Sequence, residues 1–96
     1  MVRARLSPRA QQQLSEIWLY IAQDNEAAAD RLLNRIFDKI NLAAESPGIG
    51  APRPDIDPDT RMLIVGAYVI LYSKDAEGIV VVTVVHGMTA SEGWID

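Results

Sequence analysis

Apolar side chains recur at helical spacing over a long stretch between Asn25 and Ser46. The series falls on one face of an α-helix and comprises Ala29, Leu32, Leu33, Ile36, Phe37, Ile40, Ala43 and Ala44. Such a stripe is buried against the rest of a domain, and it predicts a helix of about twenty residues. Ser46, Pro47 and Gly48 end this helix, because proline and glycine disfavour its continuation.

A shorter helix is predicted before it. Ser7 can act as an N-cap that accepts a hydrogen bond from an orphan backbone amide, and Pro8 suits the first helical position. An apolar stripe follows at Ala10, Leu14, Ile17 and Ile21. Only Asp24, Asn25 and Glu26 then interrupt the pattern, and so short a connection makes the two helices antiparallel neighbours.

The remaining segments read as strands and loops. Val2, Ala4 and Leu6 alternate with two arginines, which predicts a short first strand. After the helices, residues 47–60 contain four of the five prolines and are predicted to be a loop. Three β-rich runs follow at 61–65, 68–72 and 79–85, joined by Gly66-Ala67 and by a predicted loop over 74–78. The last run is β-branched at every position, which predicts a central strand with both faces largely covered.

This order of elements predicts an α+β fold: an N-terminal strand, an antiparallel helical hairpin, a three-stranded antiparallel meander and a short C-terminal segment. A chain of 96 residues fits one domain, 1–96. The absence of cysteine excludes disulfides and fits a reducing compartment. No apolar run approaches the ~20 residues that span a bilayer. We therefore expect a cytoplasmic protein without a membrane partner.

The charge of the chain limits its partners. Nine basic and thirteen acidic residues give a net charge of −4, and residues 49–96 carry the whole deficit with three basic and seven acidic residues. Because lysine and arginine supply most of the affinity for phosphate backbones, we expect no direct DNA binding by the chain alone. A basic or amphipathic protein partner is easier to accommodate.

Few side chains suit catalysis or metal binding. His86 is the only histidine and follows the last predicted strand, where a structural hydrogen bond is more common than a role as general base. Without cysteine, a metal would need carboxylates, but Asp55, Asp57 and Asp59 lack the glycine and distal glutamate of a calcium loop. We expect no metal site and no cofactor.

Large apolar residues suggest an interface. Trp18 lies beside the stripe of the first helix, where packing in the core is the more common outcome and an interface anchor the alternative. Trp94 lies outside every periodic segment, so docking on the sheet and contact with a partner are both open. Leu19 and Leu42 project away from the stripes of their helices, which modestly favours a partner helix.

The chain resembles the ParE toxins of the RelE/ParE superfamily over nearly its whole length. The opening helical hairpin of these toxins is matched by Leu6-Ser7-Pro8-Arg9-Ala10, Leu14, Ile17-Trp18, Tyr20-Ile21, Ala28-Ala29 and Leu32. Their meander is matched by Arg61, Val65-Gly66, Tyr68-Val69-Ile70, Tyr72 and His86-Gly87. No one motif is highly specific, but their joint spacing is.

This resemblance implies the toxin of a bacterial type II toxin–antitoxin system. It implies a ParD-like antitoxin whose C-terminal segment wraps the toxin, in a hetero-oligomer with at least two copies of each chain, and DNA gyrase as the target. Expected antitoxin contacts, by helix-in-groove docking and strand addition, are Trp18, Leu19, Tyr20, Leu33 and Phe37. Expected target contacts are Arg61, Tyr68, Tyr72, His86 and Trp94.

RelE members of the superfamily are instead ribosome-dependent mRNA endoribonucleases. Metal-free RNA cleavage needs cations and an acid–base pair around the phosphate. The positions that match basic RelE catalytic residues hold Arg61, Leu63, Val69 and Met88 or Thr89, with Trp94 near the catalytic tyrosine. Since only one cation remains, a gyrase inhibitor that is not an enzyme is the leading hypothesis. In a RelE-like alternative, Arg61 and His86 are the weak catalytic candidates.

A third hypothesis is a degenerate, non-toxic family member. Many ParE relatives carry basic residues around the positions of Ala67, Ser73, Met88 and Thr89, and this chain does not. The difference lowers the positive charge of the expected target face, whereas the expected fold and antitoxin contacts do not depend on it.

Overall fold

A computed structural model describes residues 3–87 of the chain. The elements are strand β1 (Arg3–Leu6), helices α1 (Pro8–Ala22) and α2 (Glu26–Glu45), a 3-10 turn (Pro47–Ile49), and strands β2 (Ala51–Pro52), β3 (Thr60–Val65), β4 (Tyr68–Asp75) and β5 (Gly78–His86). The predicted α+β fold is confirmed. Within the described range, neither α1 nor α2 combines the length and apolarity needed to cross a bilayer.

Both long helices begin after a capping residue, and the prediction that Ser7 caps the first helix is confirmed. The Ser7 hydroxyl accepts a hydrogen bond from the backbone N–H of Ala10 at 3.0 Å, and the Asn25 side chain accepts one from Ala28 at 3.0 Å. The Ser7 hydroxyl also donates to the carbonyl of Val82 at 2.8 Å. The start of α1 is thereby tied to β5, which fixes the helical hairpin on the sheet.

The five strands form one sheet in the order β1-β5-β4-β3-β2. The predicted meander of β3, β4 and β5 is antiparallel and confirmed. Strand β1 pairs with β5 in parallel, from Arg3 opposite Gly78 to Leu6 opposite Val81. A parallel pair needs a long crossover, and the helical hairpin provides part of it. Strands β1 and β2 are the two edges of the sheet.

Two predicted loops were too long. The segment 47–60 contains the 3-10 turn and β2, whose residues Ala51 and Pro52 pair with β3. A strand of two residues leaves no periodicity in the sequence. The predicted loop 74–78 is also wrong at its ends, because β4 continues to Asp75 and β5 already begins at Gly78. Gly78 permits this tight connection, since its φ of 142° is rarely accessible to other residues.

The core lies between the helices and one face of the sheet. Its largest fully buried side chains are Tyr72, Ile36, Ile40, Ile70, Ile79, Val81 and Val84. The prediction that both faces of β5 are largely covered is confirmed for most of the strand. Ile79, Val81 and Val84 are buried in the core beneath the helices, and Thr83 is only 2% exposed. A second, smaller cluster of Val69 and Leu71, with Ile56, Met62 and Val85 packed against it, covers part of the opposite face. Val82, at a β-bulge, is 40% exposed.

Tyr72 joins the sheet to the turn after α2. Its buried hydroxyl donates to the carbonyl of Pro47 at 2.7 Å and accepts from the N–H of Gly50 at 2.9 Å. A Cβ on residue 50 would lie 2.5 Å from the Tyr72 hydroxyl oxygen, so only glycine fits there. This packing closes the end of the core opposite the turn between the two helices.

We expect Tyr72→Phe to lower the free energy of unfolding by about 1–3 kcal/mol, because it leaves a buried donor and acceptor without a partner. Urea unfolding followed by circular dichroism measures the change. The control is Tyr20→Phe, which removes a hydroxyl from a side chain that is 74% exposed. Equal stabilities of the two variants would contradict the structural role of the Tyr72 hydroxyl.

Candidate functional site

Helix α1 separates two open depressions on the surface. The first, here the hairpin groove, encloses about 470 Å³ and is lined by Leu6, Gln11, Leu14, Ser15, Trp18, Leu19, Leu33 and Phe37. The second, here the strand-end cleft, encloses about 530 Å³ and is lined by Gln13, Glu16, Ile17, Tyr20, Tyr68, Val84, Val85 and His86. Because successive helical residues are rotated by about 100°, the neighbours Leu19 and Tyr20 open onto different depressions.

The hairpin groove runs between α1 and α2 beside the edge strand β1. Trp18 donates a hydrogen bond from its indole Nε1 to Oδ1 of Asp30 at 2.8 Å, which bridges the two helices. The prediction that Trp18 packs in the core is therefore wrong, since its side chain is half-buried at the surface. An indole N–H needs an acceptor, and Asp30 offers one at the helix surface.

Apolar groups dominate the hairpin groove. Leu19 is 58% exposed and Phe37 is 36% exposed, although both are large hydrophobic residues. Trp18 and Leu33 complete this apolar lining. The structure thus brings together four of the five residues predicted to contact an antitoxin. The fifth, Tyr20, lies across α1 in the strand-end cleft.

The strand-end cleft lies between α1 and the ends of β4 and β5. Tyr68 and His86 are cross-strand partners, and their rings meet edge to face with centroids 5.3 Å apart. Tyr20 lies on the opposite wall and is 74% exposed. Two of the predicted target contacts, Tyr68 and His86, are therefore neighbours, and Tyr20 joins them.

Gln13 connects the helix wall of the cleft to its strand wall. The sequence did not predict a role for this residue. Its Oε1 accepts hydrogen bonds from the Thr83 hydroxyl at 2.9 Å and from the backbone N–H of Val84 at 2.8 Å. These bonds attach α1 to β5 where the bulge interrupts strand pairing. Gln13 follows two other glutamines, and nothing in the sequence distinguishes it from them.

The other predicted target contacts do not join this cluster. Arg61 lies at the start of β3, and its Nη1 donates to the carbonyls of Gly50 at 2.7 Å and Gly48 at 3.4 Å. The Tyr72 side chain is fully buried, so the expectation that it contacts a target is corrected. Trp94 lies outside the described residues.

The weak catalytic candidates Arg61 and His86 are not brought together. Arg61 precedes Val65 by four residues on β3, or about 13 Å of strand. Val65 pairs with Tyr68, which pairs with His86, so the two candidates lie toward opposite ends of the meander. Leu63 and Val69, at the other matched positions, are buried and apolar. In the part of the chain that the structure describes, these positions do not form a cationic phosphate site.

In the acidic loop before β3, one of the three aspartates is paired with an arginine. The Arg53 guanidinium contacts both carboxylate oxygens of Asp55, at 2.7 and 3.0 Å. This hydrogen bonding lowers the pKa of the Asp55 carboxyl and raises the pKa of Arg53. The Asp57 carboxylate accepts from the backbone N–H of Asp59 at 2.9 Å. Among residues 3–87, no cluster of three or more acidic, histidine or cysteine side chains is placed to hold a metal ion.

Known proteins resemble this chain closely. Residues 4–90 match the family model described as the ParE toxin of the type II toxin–antitoxin system parDE. The protein Y4kP of Sinorhizobium fredii is 38% identical over 88 residues, which are 88% of this chain and 86% of that protein. Toxin ParE1 of Mycobacterium tuberculosis is 35% identical over 86 residues, 88% of each chain.

A solved structure has the same fold. The chain superposes with a TM-score of 0.73 on a structure titled "Chromosomal ParDE TA system from P. aeruginosa". The superposition covers 90% of this chain and 96% of the chain in that structure. At 17% sequence identity this match supports the fold alone.

Proposed function

Because this chain belongs to the ParE family of toxins from type II toxin–antitoxin systems, we propose that a ParD-like antitoxin holds it inactive in the cytoplasm and that the released toxin inhibits DNA gyrase. The observation that carries the antitoxin part is the hairpin groove, whose apolar lining is open to solvent. Exposed apolar patches on a small protein mark sites of protein interaction.

An amphipathic antitoxin segment fits this groove by its chemistry. A helix that places apolar residues between α1 and α2 would bury Leu19 and Phe37 and cover the Trp18 indole. At about 25 cal/mol per Å² of apolar surface removed from water, burial of such anchors supplies much of the binding free energy. The hairpin groove is thus proposed as the main antitoxin site.

The adjoining sheet edge offers a second mode of contact. Leu6 lines the hairpin groove and ends β1, whose outer side has no strand partner among the described residues. An extended antitoxin segment can add to such an edge through backbone hydrogen bonds. The Arg5 guanidinium forms ion pairs with the carboxylates of Asp75 and Glu77. These pairs balance the charge of Arg5 within the toxin.

Target contact is assigned to the strand-end cleft. Tyr20, Tyr68 and His86 present aromatic surface on the side of α1 that faces away from the hairpin groove. The toxin therefore has separate surfaces for capture and for inhibition. No observation in the described chain favours RNA cleavage. The Arg61 guanidinium already donates hydrogen bonds to backbone carbonyls, and it lies far from His86 along the sheet.

Expression of the chain without antitoxin tests this function. We expect growth arrest with filamentation and DNA-damage signalling, and loss of supercoiling when the purified chain is added to gyrase and relaxed plasmid. Ongoing protein synthesis, followed by labelled methionine, distinguishes this result from RNA cleavage. Translation arrest without DNA damage would overturn the gyrase proposal. A folded chain without any effect would identify a non-toxic family member.

A further inference from the structure

We propose that the strand-end cleft recognises an arginine side chain presented by the protein that the toxin inhibits. The inference rests on the proposed function, which assigns this cleft to the target. It adds the chemical group that the cleft selects.

The first argument is the charge of the cleft lining. Among the described residues that line the cleft, Glu16 is the only carboxylate, and none is a lysine or an arginine. Gln12 donates a hydrogen bond to Glu16 Oε1 at 3.1 Å, and the Glu16 side chain is exposed to solvent. The cleft therefore offers an exposed acceptor for a cation and would repel a phosphate or a carboxylate.

The second argument is its aromatic surface. Tyr20 and Tyr68 lie with Glu16 in one opening, and the Tyr68 ring is held by its edge-to-face contact with His86. Cations bind to the faces of aromatic rings, and arginine does so more often than lysine. A planar guanidinium can stack on a ring and still donate two hydrogen bonds to a carboxylate, which an ammonium group cannot do with the same geometry.

The third argument is the shape of the cleft floor. Ile17, Val84 and Val85 supply apolar surface that suits the methylene stem of a long cationic side chain. The bonds of Gln13 to Thr83 and Val84 hold this floor against α1, so the site is formed before a ligand arrives. The net charge of −4 also favours approach of a basic segment.

Nuclear magnetic resonance of the 96-residue chain tests the inference directly. The isotope-labelled protein is titrated at pH 8 with acetyl-Gly-Arg-Gly-amide. Two further peptides replace the arginine, one by citrulline, which is its neutral isostere, and the other by lysine. We expect saturable shifts at Tyr20, Tyr68 and Val85 that are largest for the arginine peptide. We expect Glu16→Gln to weaken this binding about tenfold, as for loss of a charge-assisted hydrogen bond. Glu45→Gln, at an exposed glutamate that ends α2, should leave it unchanged.

Equal shifts with arginine and citrulline, or with arginine and lysine, would overturn the inference. So would stronger shifts of the same resonances by a single-stranded oligonucleotide. The supercoiling assay is read separately. Arginine binding without gyrase inhibition would support the inference and contradict the proposed target, whereas inhibition without a preference for arginine would contradict the inference alone.

Discussion

We expect Leu19→Asp and Phe37→Asp each to weaken the proposed antitoxin binding by at least about 100-fold, as for loss of an apolar anchor at the centre of an interface. Both side chains line the hairpin groove, and a charge there must be desolvated against an apolar segment. Leu19 is 58% exposed in the free toxin, so its replacement costs little stability. Phe37 is only 36% exposed, so circular dichroism is used first to show that Phe37→Asp is folded. In cells, we expect these variants to stay toxic when wild-type levels of antitoxin are present.

Leu42→Asp is the matched control for these variants. Leu42 lies on α2 and is 48% exposed, similar to Leu19, but it lines a different depression with Ile64 and Gly66. Calorimetric titration with the product of the reading frame that adjoins the toxin gene gives the Kd values. If Leu42→Asp weakened binding as much as Phe37→Asp, the antitoxin would not be confined to the hairpin groove.

Local rules explain why the helices could be predicted from the sequence. Ser7 and Asn25 act as caps through hydrogen bonds to amides three residues ahead, so the signal is complete within one turn of the chain. The apolar stripe of α2 is similarly local. Strand β2 is different, because it exists only through its pairing with Met62 and Arg61 on β3. That pairing depends on the tertiary fold.

The two tyrosines of β4 show why the site was only partly predictable. Tyr68 and Tyr72 are four residues apart and belong to the same face of the strand. The alternation of faces along a strand therefore predicts the same surroundings for both side chains. Tyr72 is fully buried beside the turn after α2, whereas Tyr68 reaches the open cleft beside α1. Their burial differs because the helices cover the sheet above Tyr72 but not above Tyr68. How far this cover extends depends on the packing of the helices on the sheet. The same limit applies to Leu19 and Tyr20, whose different depressions are defined by α2 and β5.

We expect Tyr20→Ala to weaken the proposed gyrase inhibition by roughly 30- to 100-fold, the size expected for loss of an aromatic hot spot. The Tyr20 ring is 74% exposed on the wall of the strand-end cleft, so its removal costs little stability. Antitoxin affinity should be unchanged, because the ring lies across α1 from the hairpin groove. The measurements are the concentration that half-inhibits supercoiling and the Kd for the antitoxin.

Adjacent positions make this a test of separate surfaces. Leu19→Ala, one residue earlier, should weaken antitoxin binding while the half-inhibitory concentration stays at the wild-type value. Leu42→Ala should change neither, because its depression lies between α2 and β3. If Tyr20→Ala weakened antitoxin binding and left supercoiling inhibition intact, the strand-end cleft would belong to the antitoxin surface. The target would then have to bind the toxin elsewhere.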